Sequence, residues 1–322
     1  PDPGNRRARA GWNSEQHPEN IAVIGARKRL LEIFVRRWLR AALDPSLAVD
    51  HQRRQVVRAA RFMPAVRRVE VSSHRISGRD ALWFSPAGGR SDAAILYLHG
   101  GAYVLGSPMT HRNVAAQLAR RAGMPVLLPD YRLAPEARCP AALVDARQAW
   151  SYLIDCGLPP DRLAMVGDSA GAGLAVALAQ SLADRMEHPA ALAVFSPWVD
   201  LSLSGETVTS LADSDPLLRP DYLAWAARTY LGGQLSTDPV CSPLFGDFSD
   251  FPPMLIQAAG REILLDDAIR LATAARATGT DVKLELEPDL WHAWQLLAGL
   301  LPEADEALER AVAFIGARLQ TG

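Results

Sequence analysis

The stretch "MVGDSAGAGLAV", residues 165–176, places a serine between two glycines where an apolar run gives way to small residues. The residues that end at Gly167 predict a buried β-strand, and those from Gly171 onward predict a helix. Ser169 then occupies a tight strand-to-helix turn that projects its hydroxyl away from the chain. Glycines are expected on both sides, because side chains there would collide where the strand and the helix come close. Ser169 is therefore a candidate nucleophile.

A serine hydroxyl is a poor nucleophile at neutral pH, so it needs a base, and the base needs an orienting acid. Among seven histidines, His292 is the best candidate base, because it lies in the loop after the last predicted strand. The acid should follow the preceding strand. There Glu262 comes first and is favoured, with Asp266, one helical turn further along, as the alternative. The resulting order is serine, acid, histidine.

Acyl transfer places negative charge on a substrate oxygen, and fixed N–H donors must stabilise that charge. The sequence "YLHGGAYVLGS", residues 97–107, ends a predicted strand in paired glycines whose N–H groups can face outward. Gly100 and Gly101, together with the N–H of Ala170, are the predicted oxyanion hole. His99 is predicted to support this loop through a hydrogen bond. A plain structural turn is the alternative interpretation of this stretch.

Short β-rich runs alternate with helical stretches from about residue 69 onward, and several runs are apolar on both faces. This pattern predicts a doubly wound α/β sheet. The predicted strands cover residues 68–72, 81–85, 93–99, 125–130, 162–167, 191–196, 253–259 and 282–288. The predicted helices between the later strands cover residues 112–121, 141–156, 171–185, 266–278 and 303–319.

Two segments interrupt this rhythm, residues 1–68 and 201–235, and both carry apolar helical stripes. In the first, Leu30, Phe34, Trp38 and Ala42 recur every four residues, with a second apolar row beside them. We expect the two segments to pack together as a helical cap. Residues 69–200 and 236–322 then form the catalytic domain.

The charge is unevenly distributed. Residues 1–68 carry 15 Lys and Arg against 6 acidic residues, whereas the whole chain has a net charge of −2. This basic region is expected to dock on the acidic body, with at most weak contact to a lipid surface. Nucleic acid is excluded as a partner, because aromatic residues are not interleaved with the charges.

No apolar run reaches the length of a membrane-spanning helix, and the first twenty residues lack a secretory core. The three cysteines are far apart and without CxxC spacing, which predicts free thiols in a reducing cytosol. A cytoplasmic location is therefore expected.

Several stretches together resemble the hormone-sensitive-lipase-like carboxylesterases of the α/β-hydrolase superfamily, the bacterial family IV esterases. These stretches are "HGGAY" (99–103), "DYRLAPE" (130–136), "GDSAG" (167–171), "SPWVDLS" (196–202), "GREILLDD" (260–267) and "WHAWQ" (291–295). Two positions depart from the family pattern. Ala102 stands where the family usually has a third glycine, and Glu262 stands where many members have aspartate.

The resemblance implies an α/β-hydrolase fold with a mostly parallel eight-stranded sheet flanked by helices, and a helical cap over an acyl pocket. It implies a serine esterase that acts on short-chain esters without a cofactor or metal, and a possible homodimer through the edge strand at residues 282–288. Candidate residues for the pocket wall are Tyr103, Trp198, Tyr222 and Trp225, each of which could instead be core or cap packing.

Other functions fit parts of the pattern. The same groups can cleave an amide, so an amidase or peptidase on the same scaffold is an alternative. A non-catalytic ligand receptor derived from a hydrolase is another, although the joint presence of Ser169, Glu262 and His292 argues against it. A lipid-surface adaptor that works through the basic helix is the third.

Overall fold

The computed structural model describes residues 18–183 and 187–319, so the first 17 residues of the expected cap lie outside the described residues. Eight strands form one sheet in the order β1-β2-β4-β3-β5-β6-β7-β8. Strand β2 runs antiparallel to both of its neighbours, and all other pairs are parallel. The strands are β1 Val69–Ile76, β2 Arg79–Pro86, β3 Ala94–Leu98, β4 Val126–Pro129, β5 Leu163–Asp168, β6 Ala191–Phe195, β7 Met254–Ala259 and β8 Val282–Glu287. The predicted fold class is confirmed.

The helices that flank the sheet are α4 Arg112–Ala122, α5 Ala141–Asp155, α6 Ala170–Leu182, α9 Leu265–Ala277 and α10 Pro302–Leu319. Before the sheet come α1 Pro18–Phe34, a π-helical turn Val35–Leu39, α2 Arg40–Ala42 and α3 Val49–Ala60. The insertion contains α7 Thr207–Ser210 and α8 Pro220–Leu231. Helix α8 shows why such boundaries form, since proline opens it and Gly232 closes it at a φ of 61°.

The central strands are buried on both faces, which explains why they read as continuous apolar runs. Every residue of β3, β4, β5, β6 and β7 is buried. Because β3, β5, β6, β7 and β8 are parallel, their carboxyl ends meet at one edge of the sheet. The loops that follow β3, β5, β7 and β8 carry all the predicted catalytic residues, so the topology brings them together.

The predicted apolar stripe of the N-terminal segment, which combines two neighbouring rows, is only partly buried. Val35 of the second row is 2% exposed, whereas Leu30 and Trp38 of the first row are each 68% exposed. Only Ala42 of that row is buried. A π-helical turn spans Val35–Leu39, and a pattern with a 3.6-residue period does not predict such a turn.

Two cysteines correct the prediction of free thiols. Cys139 and Cys241 form a disulfide with their Cα atoms 6.3 Å apart, while Cys156 is free and exposed. The two residues are 102 positions apart in sequence. They meet because the N–H of Cys139 donates to the Tyr230 carbonyl at the end of α8, near the segment that leads to Cys241. The local spacing of cysteines in the sequence does not predict such a contact.

Within residues 18–183 and 187–319, no helix combines the length and the apolar character needed to cross a membrane. In the same part of the chain, no cluster of His, Cys, Asp and Glu side chains is arranged to hold a metal ion.

Candidate active site

Ser169 occupies the turn that the glycine pattern predicts. Strand β5 ends at Asp168, Ser169 adopts φ 53° and ψ −122°, and α6 begins at the next residue. A Cβ at Gly167 would collide with the Gly171 carbonyl, and a Cβ at Gly171 would collide with the carbonyls of Leu98 and His99. The two glycines therefore allow a strained serine backbone that aims the hydroxyl out of the turn.

Three side chains from different loops form a continuous hydrogen-bonded relay. The distance from Ser169 Oγ to His292 Nε2 is 2.9 Å, and His292 Nδ1 lies 2.8 Å from Glu262 Oε2. The other carboxylate oxygen, Glu262 Oε1, accepts the N–H of Ala259 at 3.0 Å. All three relay side chains are buried, with Ser169 at the cavity surface. This arrangement can move a proton from the hydroxyl to the imidazole and stabilise the resulting cation.

The environment of His292 tunes its proton affinity in two opposing directions. Burial lowers the pKa of His292, but the hydrogen bond and charge of Glu262, with the further charges of Asp215 and Asp168, raise that pKa above its usual value. The net direction is upward. An imidazole of this kind holds a proton firmly after taking it from the serine, which a general base requires.

The alternative acid does not reach the relay. Asp266 Oδ2 accepts the N–H of Thr207 at 3.0 Å and so fixes α7. Its neighbour Asp267 is fully buried and accepts the N–H groups of Val199 and Asp200 at 2.9 and 3.0 Å. Burial raises the pKa of Asp267 to about 7. Both aspartates therefore hold neighbouring backbone segments in place through hydrogen bonds.

The N–H of Gly100 is already engaged, which changes the predicted oxyanion hole. It donates to Asp168 Oδ1 at 3.0 Å, and the same oxygen accepts the hydroxyl of Tyr97 at 2.7 Å. Asp168 also lies 3.4 Å from His111 Nε2. Burial raises the pKa of Asp168, but His111, Tyr97 and the Gly100 N–H together bring it below its usual value. The aspartate beside the nucleophile thus anchors the glycine loop, and Gly100 faces this anchor.

His99 supports the same loop from beneath, as expected. Its Nδ1 lies 2.9 Å from the Gly100 carbonyl, and its ring stacks on Tyr131 with centroids 4.2 Å apart. Burial lowers the pKa of His99 to about 3, so the ring is neutral and donates to that carbonyl. The Tyr131 hydroxyl in turn donates to the His99 carbonyl at 2.5 Å.

Three N–H groups near the serine remain available for a ligand. Those of Gly101, Ala102 and Ala170 have no acceptor among the described residues. Ala102 has a φ of 54°, so it occupies the left-handed region that the third glycine of the family pattern would enter freely. The N–H of Ala102, which the sequence reasoning set aside, is therefore free where that of Gly100 is engaged.

A cavity of about 130 Å³ opens onto the serine hydroxyl and the imidazole. Both cap segments line it. The N-terminal helices and the loop after them contribute Leu39, Leu43 and Val56, and the insertion contributes Leu217, Leu218, Tyr222 and Leu223. The wall is therefore mostly aliphatic, and the body supplies the glycine loop, His111, Asp168, Ser169 and His292 with the residues beside it.

Of the four predicted aromatic wall residues, Tyr222 alone lines this cavity. Tyr103 stacks on Tyr230 with ring centroids 3.9 Å apart. Trp198 is fully buried and donates its indole N–H to the Asp200 carbonyl at 3.1 Å. Trp225 packs on Tyr222 with centroids 5.4 Å apart, behind the wall.

Polar contacts hold the cap against the catalytic loops. Arg53 of α3 makes two 2.8 Å hydrogen bonds to the Glu136 carboxylate and one of 2.9 Å to the Val104 carbonyl, just beyond the glycine loop. Asp215 of the insertion accepts the N–H of Ile263, next to the relay carboxylate, at 3.0 Å. Arg261, on the other side of that carboxylate, pairs with Glu32 of α1 at 2.6 Å. Glu136, which had no role from sequence, thus anchors α3.

Sequence reasoning missed the aliphatic wall and the cap anchors. A leucine on an amphipathic helix has no local signal that separates a pocket wall from ordinary packing. The one available signal in the sequence was the position of two of these leucines shortly after an acidic residue. Leu217 and Leu218 follow the acidic turn at Asp215, whose carboxylate accepts both of their N–H groups, at 2.8 and 2.9 Å.

Residues 95–296 match the family model described as alpha/beta hydrolase fold. An acetyl-hydrolase of Streptomyces hygroscopicus is 43% identical over 244 residues, which cover 75% of this chain and 80% of that protein. The ethyl acetate hydrolase of Pseudomonas putida is 36% identical over 228 residues, or 68% of this chain and 71% of that protein.

The crystal structure of an esterase from the bacterial hormone-sensitive lipase family superposes with a TM-score of 0.84. It is 39% identical, and the match covers 94% of this chain and 99% of that one. The observed fold agrees with these similarities. The chain therefore belongs to the α/β-hydrolase family, among the bacterial hormone-sensitive-lipase-like esterases.

Proposed function

We propose that the protein is a serine carboxylesterase that hydrolyses short-chain esters through an acyl-enzyme. The observation that carries this proposal is the continuous relay from Ser169 through His292 to Glu262. His292 takes the serine proton as the oxygen attacks the ester carbonyl, and then gives it to the leaving alcohol. Water repeats the cycle on the acyl-enzyme. Glu262 holds the imidazole and stabilises its cation.

The oxyanion donors in this proposal are the N–H groups of Gly101, Ala102 and Ala170. The absence of any other acceptor for them among the described residues supports their assignment. Each donor contributes about 3 to 4 kcal/mol to transition-state stabilisation in hydrolases of this type. Asp168 acts indirectly, because it fixes the loop through Gly100.

The cap, residues 1–68 and 201–235 as predicted, serves in this proposal as a lid that shapes the acyl pocket. The aliphatic wall and a cavity of about 130 Å³ favour a small acyl group over a long chain. The names of the relatives, acetyl-hydrolase and ethyl acetate hydrolase, are consistent with this substrate class.

A profile of hydrolysis rates over p-nitrophenyl esters of increasing acyl length, with the matching anilide as control, tests this function. We expect the highest kcat/KM at short chains, a steep fall for longer ones, and slow or no cleavage of the anilide. Preferential cleavage of the anilide would move the assignment to the amidase alternative. No turnover of any ester, together with tight binding of one, would support the receptor alternative.

Location and assembly stay predictions. The cytoplasmic location was expected in part from free thiols, and the Cys139–Cys241 disulfide removes that support, because disulfides persist in oxidising compartments. A homodimer through the edge strand β8 is likewise expected from family resemblance alone.

A further inference from the structure

The N-terminal helix presents an apolar row that the rest of the described protein leaves uncovered. Leu30 and Trp38 are each 68% exposed, and Phe62, which follows α3, is 76% exposed. Phe34 lies between them and meets the Phe62 ring edge-on with centroids 6.4 Å apart. Together with Met63, Leu297 and Leu300, these side chains line an open groove of about 480 Å³, here called the outer groove. Large aromatic and aliphatic side chains grouped in this way indicate an interaction surface.

The surroundings of the outer groove are strongly basic. Residues 25–68 contain twelve Lys and Arg against three acidic residues. Two of those acidic residues are engaged by arginine, Glu32 by Arg261 and Asp50 by Arg53. In contrast, several exposed arginines that lie within two positions of a groove residue in sequence make no salt bridge with a described residue; these are Arg29, Arg36, Arg37, Arg58 and Arg61. This charge is therefore available to an external anion surface.

The outer groove also borders the catalytic cavity. Trp38 lines the groove, and the next residue, Leu39, lines the cavity. The same alternation occurs after the catalytic histidine, where Leu296 lines the cavity and Leu297 lines the groove. The outer groove and the catalytic cavity are therefore built on the same two segments of the chain.

We propose that the outer groove docks the enzyme on an anionic lipid surface, with Leu30, Trp38 and Phe62 in the headgroup boundary and the neighbouring arginines on the phosphates. Aromatic and aliphatic side chains flanked by arginine are the composition of interfacial helices. Charge complementarity decides the occupant, because a second copy of this chain would bring two basic grooves together. The proposed esterase activity would then act on esters that partition into that surface, but the docking itself does not depend on turnover.

Co-sedimentation of the full chain with vesicles tests the docking. The probes are vesicles of equimolar phosphatidylglycerol and phosphatidylcholine, and vesicles of phosphatidylcholine alone. We expect binding to the anionic vesicles that weakens with salt, and little binding to the neutral ones. Ser169→Ala should bind as well as the native protein, so failure of docking and failure of the esterase assignment are distinguishable.

Two sets of variants separate the contributions. Trp38→Gln with Phe62→Gln should weaken binding at least about tenfold by removing buried apolar area. Arg36→Gln with Arg37→Gln should weaken it roughly 25-fold, since each basic side chain at an anionic surface contributes about fivefold. The controls are Leu235→Gln, at a leucine that is 75% exposed and does not line the outer groove, and Arg228→Gln. Both should bind normally.

Hydrolysis of a water-soluble short ester should be unchanged in the Trp38 and Phe62 variant, because neither side chain lines the catalytic cavity. Equal binding of the outer-groove variants and their controls would overturn the proposal. So would a native dimer that these substitutions dissociate, combined with no vesicle binding, because the outer groove would then be an interface between two copies.

Discussion

The catalytic centre and the cap are built on different principles, although they share one cavity. In the centre, each polar group is fixed by a strand end and a directional hydrogen bond, as where Asp168 holds Gly100 and Glu262 holds His292. In the cap, the cavity wall consists of leucines, a valine and Tyr222 from two distant segments. The catalytic centre therefore determines which reaction is possible, and we expect the cap to determine which acyl groups fit the cavity.

Removal of the nucleophile should have the largest effect. Ser169→Ala is expected to lower kcat by roughly 10⁶-fold, as for other serine hydrolases, with an unchanged thermal unfolding midpoint. Steady-state kinetics and thermal melts of the purified variant check this. Substantial residual hydrolysis by a folded variant would mean that the nucleophile is another residue.

The choice of acid provides the next test. Glu262→Gln should lower kcat by about 10⁴-fold, because an amide neither holds the productive tautomer nor stabilises the imidazolium. Asp266→Asn, which alters only the bond to Thr207, is the matched control and should change kcat less than about threefold. The opposite ranking of the two variants would contradict the relay assignment.

A substitution in the cap should change substrate specificity and leave the chemical step intact. Leu217→Ala enlarges the cavity wall and should raise the ratio of kcat/KM for a longer acyl chain over acetate about tenfold, the scale of methylene discrimination in an apolar pocket. Leu235→Ala, outside the cavity, should leave the ratio unchanged. An unchanged ratio in Leu217→Ala would argue against the cap as the acyl wall.

The pH profile of kcat/KM follows from the raised pKa of His292. The base works only when neutral, so activity should fall as the pH drops through a midpoint above 6.5. Glu262→Gln removes the main cause that raises this pKa and leaves burial, so the midpoint should move to lower pH. Asp215→Asn should move it in the same direction by less, because Asp215 contributes after Glu262. A native midpoint below 6.5 would contradict this electrostatic account.

Removal of the disulfide should lower the stability of the fold and have little effect on catalysis. Cys139→Ser with Cys241→Ser is expected to lower the free energy of unfolding by about 2 to 4 kcal/mol, because the bridge closes a loop of 102 residues in the unfolded chain. Denaturant titration measures this, and Cys156→Ser is the matched control. Full retention of stability would show that the cross-link is dispensable.

The sequence predicted the parts of the molecule where only one residue type satisfies the local geometry. Gly167 and Gly171 could be interpreted because any Cβ there collides with backbone, and the eight strands follow from short β-rich runs, several of them apolar on both faces. The meeting of the three relay residues could be inferred because parallel strands place their following loops at one edge.

Contacts that depend on tertiary packing could not be predicted from the sequence. The exposure of Leu30 and Trp38 had no local signal, and the Cys139–Cys241 pair meets across 102 residues. The oxyanion prediction failed at Gly100 because its N–H is taken by Asp168, a contact between two separate loops. The aliphatic part of the cavity wall was not predicted, because leucines line pockets and fill cores alike.

The central claim is tested most directly by mass spectrometry of the native protein after reaction with a fluorophosphonate probe. The account predicts one adduct, on Ser169, that does not form in Ser169→Ala and forms far more slowly in His292→Asn. A folded, unlabelled native protein, or an adduct on a different residue, would contradict it.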